Sequence, residues 1–191
     1  LMLLAVVGIF SIGAFDFSFI LLAAREWGVP EALVPGLYLL INAMTVVLGI
    51  PAGVTADRIG REQVLLLGYL AFAATSLALI VLDANPFNAS LVALLYGAYL
   101  GIVETVQRAL IPRFAPEDLR GTAYGVYYLT VGLSFLAANF TVGFLWDRVG
   151  MQAAFAYSLA TSTAAAIGLA LYIALASKMT SPEKPRIASL R

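Results

Sequence analysis

Apolar residues fall into six long runs, at 1–24, 34–53, 64–82, 90–111, 122–145 and 152–176. Each comes close to the about 20 residues that a helix rising about 1.5 Å per residue needs to cross a hydrocarbon core. Short connections centred on 25–35, 57–63, 83–89, 113–121 and 146–151 carry most of the charge and proline. The pattern predicts an all-α membrane protein. A domain of six transmembrane helices spans 1–176, and a polar tail follows over 177–191.

Composition narrows the function classes. The chain is 62% hydrophobic and 12% charged, about half the charge of an ordinary soluble domain, so its expected solvent is the lipid bilayer. Formal net charge is zero and no basic stripe is present, so no nucleic-acid partner is expected. Cys and His are absent. That removes disulfides, thiolate or imidazole metal sites, Ser–His dyads and the H-E-x-x-H zinc motif. No G-x-G-D pattern or P-loop is present either. An intramembrane enzyme is therefore disfavoured, no cofactor or metal is expected, and a non-transporting membrane scaffold remains as an alternative. Leu1 lies inside an apolar run with no preceding Met or basic segment. This does not read as a signal peptide, and further sequence is expected upstream.

Basic residues give the spans a direction. Arg58, Arg61, Arg113 and Arg120, with Lys178, Lys184, Arg186 and Arg191 in the tail, all fall on one predicted side. Arg25 and Arg148 fall on the other. The positive-inside rule makes the richer side cytoplasmic. The expectation is a multi-pass inner-membrane protein with both termini in the cytoplasm.

A short repeat then divides the six spans. Gly53-Val-Thr-Ala-Asp57-Arg58-Ile-Gly60 follows the second span, and Gly143-Phe-Leu-Trp-Asp147-Arg148-Val-Gly150 follows the fifth. Both read G-x-x-x-D-R-x-G. An offset of three spans puts the copies on opposite sides of the membrane, which predicts an inverted 3+3 repeat.

These residues carry a family resemblance. Gly53 through Arg61 resembles the G-x-x-x-D-R-x-G-R signature of the major facilitator superfamily, which lies in the cytoplasmic loop between the second and third helices of a six-helix half. Arg120-Gly-Thr-Ala-Tyr-Gly125 looks like the opening of a fifth helix, and Gly143 through Gly150 looks like the turn after it. Glu62 and Thr55 depart from the usual pattern. Because a full carrier of this family has twelve helices, the chain resembles a C-terminal half. That implies a secondary transporter working by alternating access, completed by a separate six-helix half or a homodimer partner, the alternative being a non-functional fragment. In the signature loop, Gly53, Asp57, Arg58, Gly60 and Arg61 would form a gate whose contacts make and break between access states.

Charges at bilayer depth are the candidate chemistry, since each costs about 2.5–3.5 kcal/mol unless paired or wetted. Asp16 lies about 18 Å along the helix from Gly28, and Glu104 about 12 Å from Pro112, so both sit near the midplane. Under the repeat they occupy nearly equivalent depths in equivalent helices. Glu104, Gln107 and Arg108 follow i, i+3, i+4 spacing and form one polar stripe. On the resemblance this stripe faces a central cavity. Arg108 would bind an anionic group of a small-molecule substrate, and Glu104 or Asp16 would take up a proton. The alternative is a self-neutralising Glu104–Arg108 pair. Asn42 and Asn139 are also deep, where interhelical hydrogen bonding or substrate contact is expected. Tyr96 and Tyr99 read as packing or interface aromatics.

Overall fold

A computed structural model of the chain describes residues 2–110 and 116–180. Arg113 and the tail from residue 181 onward lie outside the described residues. The elements are α1 (Met2–Gly13), α2 (Phe17–Glu26), a 3-10 turn (Glu31–Leu33), α3 (Val34–Ile59), α4 (Arg61–Val81), α5 (Pro86–Leu110), a second 3-10 turn (Glu117–Leu119), α6 (Arg120–Arg148) and α7 (Met151–Thr180). Among the described residues six helical segments are long and apolar enough to cross a membrane, with α1 and α2 joined in the first. Several helices run beyond their apolar stretches. In α3 the helix continues through the charged Asp57 and Arg58 until Gly60 stops it, because backbone hydrogen bonding persists where hydropathy has already fallen.

The packing obeys the inverted repeat. The second span, α3, packs on the fourth, α5, and the fifth, α6, packs on the first, α1. Exchanging triplets converts one pairing into the other. The same exchange converts α4 on α5 into α7 on α1, and α3 on α4 into α6 on α7, while α4 against α7 maps onto itself. The repeated motif agrees at the backbone. Gly60 and Gly150, which end the two copies, have φ of 109° and 124°. A side chain is disfavoured in that region, so glycine turns the chain at both ends.

α1, α4, α5 and α7 supply most of the core. Its centre is aromatic: the Phe10 and Tyr69 rings stack with centroids 3.9 Å apart, and Phe15, Phe72, Tyr96, Tyr99 and Phe155 extend the cluster. α3 and α6 are peripheral, with only 11% of each apolar window buried. Where α3 meets α5 the backbones nearly touch. A Cβ on Gly97 would lie 2.5 Å from the Ile41 carbonyl oxygen, and one on Gly101 would lie 2.6 Å from that of Thr45. Small residues permit such approaches, which is how helices associate in lipid, where apolar burial gives no advantage over the solvent.

The first span differs from the single helix its hydropathy predicts. It breaks at Ala14–Phe15–Asp16. Asp16 is extended (φ −75°, ψ 154°), and its carboxylate accepts the Ser18 amide at 2.9 Å as the N-cap of α2. A short acidic side chain competes with the helix for its own backbone in this way. Mean hydropathy cannot register that competition, because Asp16 and Ser18 are outweighed by the apolar residues around them.

Candidate functional site

A break in a spanning helix frees backbone groups that lipid cannot satisfy. Here three other spans supply the partners. Tyr96 of α5 donates its hydroxyl to the Phe15 carbonyl at 2.8 Å, and Tyr157 of α7 donates to Ile12 at 3.0 Å. Asn139 of α6 accepts the Asp16 amide at 2.9 Å. Its own amide nitrogen donates to Phe135, one turn earlier, at 2.7 Å. That second bond fixes which end of the Asn139 side chain faces the break. The break is thus clasped from α5, α6 and α7, and the chain runs through it beside the aromatic core.

Next to the break lies a cleft of about 390 Å³, within the range of sites for small organic molecules. The wall brings together four of the sequence-nominated residues: Asp16, Asn42, Glu104 and Gln107. They come from the first, second and fourth spans. Arg108 and Asn139 are not in that wall. Arg108 reaches back to Glu104 at 2.9 Å, and both side chains are about half exposed (60% and 49%). Asn42 bonds within its own helix, to the Tyr38 carbonyl at 2.8 Å, whereas Asn139 makes a bond between helices. Gln107 is buried and bridges spans: it donates to Tyr69 at 3.3 Å and accepts from Tyr127 at 2.6 Å. Its amide therefore ties the third, fourth and fifth spans together at one end of the cleft.

Aromatic side chains make up much of the remaining wall, among them Phe17, Tyr38, Tyr96, Tyr99 and Phe135. Sequence reasoning nominated none of these as site residues. A signal was available in α5, where Tyr96, Leu100, Val103, Glu104 and Gln107 repeat at three- and four-residue steps and so share a face. Tyr99 joins them at the cleft edge because α5 presents a broad face rather than a line.

The signature loop sits away from the cleft, at the end of the bundle where α3, α4 and α5 meet. Arg61 pairs with Asp57 at 3.3 Å and also donates to the Ala109 carbonyl in the last turn of α5. A cation at a helix C-terminus satisfies an orphan carbonyl and complements the helix dipole. Arg58 is exposed. At the opposite end the Trp146 indole of α6 donates to Glu26 of α2 at 3.2 Å. The end of each triplet's first span is thus tied to the opposite triplet at its G-x-x-x-D-R-x-G turn.

No group of His, Cys, Asp or Glu suited to a metal ion occurs among the described residues.

Comparison with known sequences agrees with this architecture. The family model described as Major Facilitator Superfamily matches residues 1–190. An uncharacterized MFS-type transporter of Methanocaldococcus jannaschii is 32% identical over 155 residues, which is 78% of this chain and 38% of that protein. The MFS-type transporter ppzB of Metarhizium rileyi is 29% identical over 145 residues, 75% of this chain and 29% of that protein. An uncharacterized protein of Mycobacterium bovis is 28% identical over 119 residues, 61% of this chain and 28% of its own length. The chain therefore spans less than two fifths of each of these relatives. The match of nearly every residue to one family model, the six spans and their symmetric packing converge: the chain is a multi-pass membrane protein of half-carrier size and belongs to the Major Facilitator Superfamily, a family of transporters rather than enzymes.

Proposed function

We propose that this chain moves a small solute across a bilayer by alternating access, coupled to protons, as one six-helix half of an MFS-type carrier. The observation that carries the reading is the cleft beside the broken first span, where Asp16 and Glu104 meet Asn42 and Gln107. Charges at bilayer depth are retained where they line a wet path. Broken helices at such a site are a recurring device of secondary transporters. Protons would be exchanged at Asp16 or Glu104, and Arg61, Asp57 and the end of α5 would form the gate at the cytoplasmic end. The basic-residue asymmetry supports an inner-membrane orientation with both termini in the cytoplasm.

The opposing half is expected on the α3 and α6 side. These helices are equivalents in the repeat, and each exposes a row of large apolar side chains. α3 presents Leu39, Val46 and Ile50, and α6 presents Leu129, Leu133 and Phe140. A second copy or a separate six-helix half would pack there. The test is uptake into proteoliposomes under an imposed pH gradient, from a panel holding an organic cation, an organic anion, a zwitterion and a sugar. Gradient-driven uptake of one member, lost in Asp16→Asn or Glu104→Gln, is the expected outcome. Uptake indifferent to the gradient removes proton coupling. No uptake of any member, with or without a co-reconstituted half, leaves the scaffold reading.

A further inference from the structure

The geometry points to an organic cation carrying an apolar body as the ligand of the cleft beside Asp16. The inference deepens the transport reading and rests on it for the identity of the site. The first observation is charge. The cleft wall contains Asp16 and Glu104 and, among the described residues, no Lys or Arg. Arg108 is the nearest basic candidate in the sequence. It stands outside the wall but pairs with Glu104 Oε2 at 2.9 Å and offsets that charge. Asp16 is therefore the wall acid with no basic partner among the described residues. In this arrangement the Arg108 guanidinium is engaged by Glu104 rather than presented to the cleft as a separate anion site.

The second observation concerns the one other feature that could attract an anion. The N-terminus of α2 points its amides at the break, and such an end carries about half a positive charge. Asp16 already fills it: its Oδ1 accepts both the amide and the hydroxyl of Ser18. The dipole reduces the negative potential at Asp16 but leaves a whole carboxylate there. Among the described residues Oδ2 has no hydrogen-bond partner, nor does Glu104 Oε1. Each acid thus keeps one oxygen for a ligand.

The third observation is the aromatic wall. Phe17 directly follows Asp16 and packs on Tyr38, with centroids 5.0 Å apart and planes at 42°. Both rings line the cleft, as does Phe135 on α6. Aromatic faces attract cations, most strongly away from water, and their area holds an apolar body. The amide side chains of the wall are Asn42 and Gln107, and its hydroxyls are those of Ser11, Tyr38, Tyr96 and Tyr99. Of the amides, Asn42 donates to its own helix and Gln107 is engaged at both ends by tyrosines.

The test is equilibrium binding to the 191-residue chain in nanodiscs, with benzyltrimethylammonium, its uncharged isostere neopentylbenzene, and phenylacetate as probes. The cation is expected to bind about tenfold or more tighter than either of the others. Asp16→Asn and Glu104→Gln are each expected to weaken it about tenfold while leaving neopentylbenzene within about twofold. Asparagine caps helices about as well as aspartate, so Asp16→Asn keeps α2 folded. Tyr38→Leu gives a second readout that removes no charge, with a loss of about threefold or more for the cation. Equal binding of all three probes, preference for phenylacetate, or indifference of the cation to both acid variants would overturn the proposal. The two readings fail separately. Cation binding with no uptake of any panel member, with or without a gradient, upholds this inference and defeats transport. Uptake of an anion that depends on the same cleft defeats this inference and upholds transport.

Discussion

The first span crosses the fifth, and the fourth crosses the second. The inverted repeat makes these two crossings equivalents, yet they are built by opposite means. At the α5–α3 crossing the helices are continuous, and Gly97 and Gly101 bring one backbone against the other. Thr45 adds a hydroxyl bond to the Gly97 carbonyl at 3.2 Å. At the equivalent crossing, the repeat offset replaces Gly97 with Val7, Gly101 with Ser11 and Gly49 with Asn139. There the first span breaks, and Asn139 reaches in to bond the freed amide. One crossing is a strut with no room to adjust. The other is a joint held by a few hydrogen bonds, each worth about 0.6 kcal/mol on average in a membrane. Motion of this bundle is expected at the joint, and the cleft lies beside it.

The strut gives the largest expected effect. Gly101→Leu forces a side chain into the Thr45 carbonyl and the Gly49 amide, at 2.6 and 3.2 Å from its Cβ. Backbone cannot yield as a flexible side chain can, so the loss should reach about 3 kcal/mol in denaturant unfolding in detergent. Gly132→Leu on α6 is the matched control, because nothing lies within 4 Å of a Cβ there. Its effect should stay within about 0.5 kcal/mol. Similar losses for the two variants would show that α5 and α3 are not locked.

Next come the turns that define the repeat. Gly60→Ala and Gly150→Ala each place a side chain at a φ that disfavours it, at about 1–2 kcal/mol apiece. Near-equal losses support equivalent turns. A loss at one position alone would mean that only one copy of the motif is structural.

The joint itself should respond locally. Asn139→Ala leaves the Asp16 amide without its acceptor, for about 1 kcal/mol. Faster hydrogen exchange at Asp16 through Phe19, with α5 unchanged, is the expected signature. Asn42→Ala removes only a bond to its own helix and should leave exchange at the break as it was. If Asn139→Ala loosened α5 equally, strut and joint would be one cooperative unit.

How much of this was legible in the sequence follows the same division. The six spans were legible because each is a long apolar run, and the turns because glycine and aspartate repeat at a fixed offset. Asp16, Asn42, Glu104 and Gln107 stood out as polar groups in apolar surroundings, and the cleft contains all four. The break was not legible. Ala14 and Phe15 are good membrane residues, and the bonds from Tyr96, Asn139 and Tyr157 that satisfy the break beside the Asp16 cap come together only in the fold. Nor was the contrast between Asn42 and Asn139. Both are deep asparagines, and only the fold decides which one meets another helix. The aromatic wall was hidden for a related reason: Tyr96 and Tyr99 serve the core and the cleft at once, so spacing alone reads them as packing.

The smallest expected effect lies at the depth where the two first spans match. Glu104 sits on the unbroken α5, while Asp16 sits at the break. Glu104 pairs with Arg108 one turn on, an i, i+4 pair about half exposed on both sides. Such pairs contribute about 0.3–0.5 kcal/mol, less when solvent screens them. A double-mutant cycle of Glu104→Gln and Arg108→Gln should return a coupling of that size, falling as salt rises. A weak coupling leaves Glu104 free to trade its partner for a ligand without cost to the fold. A coupling above about 1.5 kcal/mol would make the pair a structural brace. Asp16, whose single engaged oxygen caps its own helix, would then be the acid left to meet a substrate, and the working chemistry of the cleft would move to the joint.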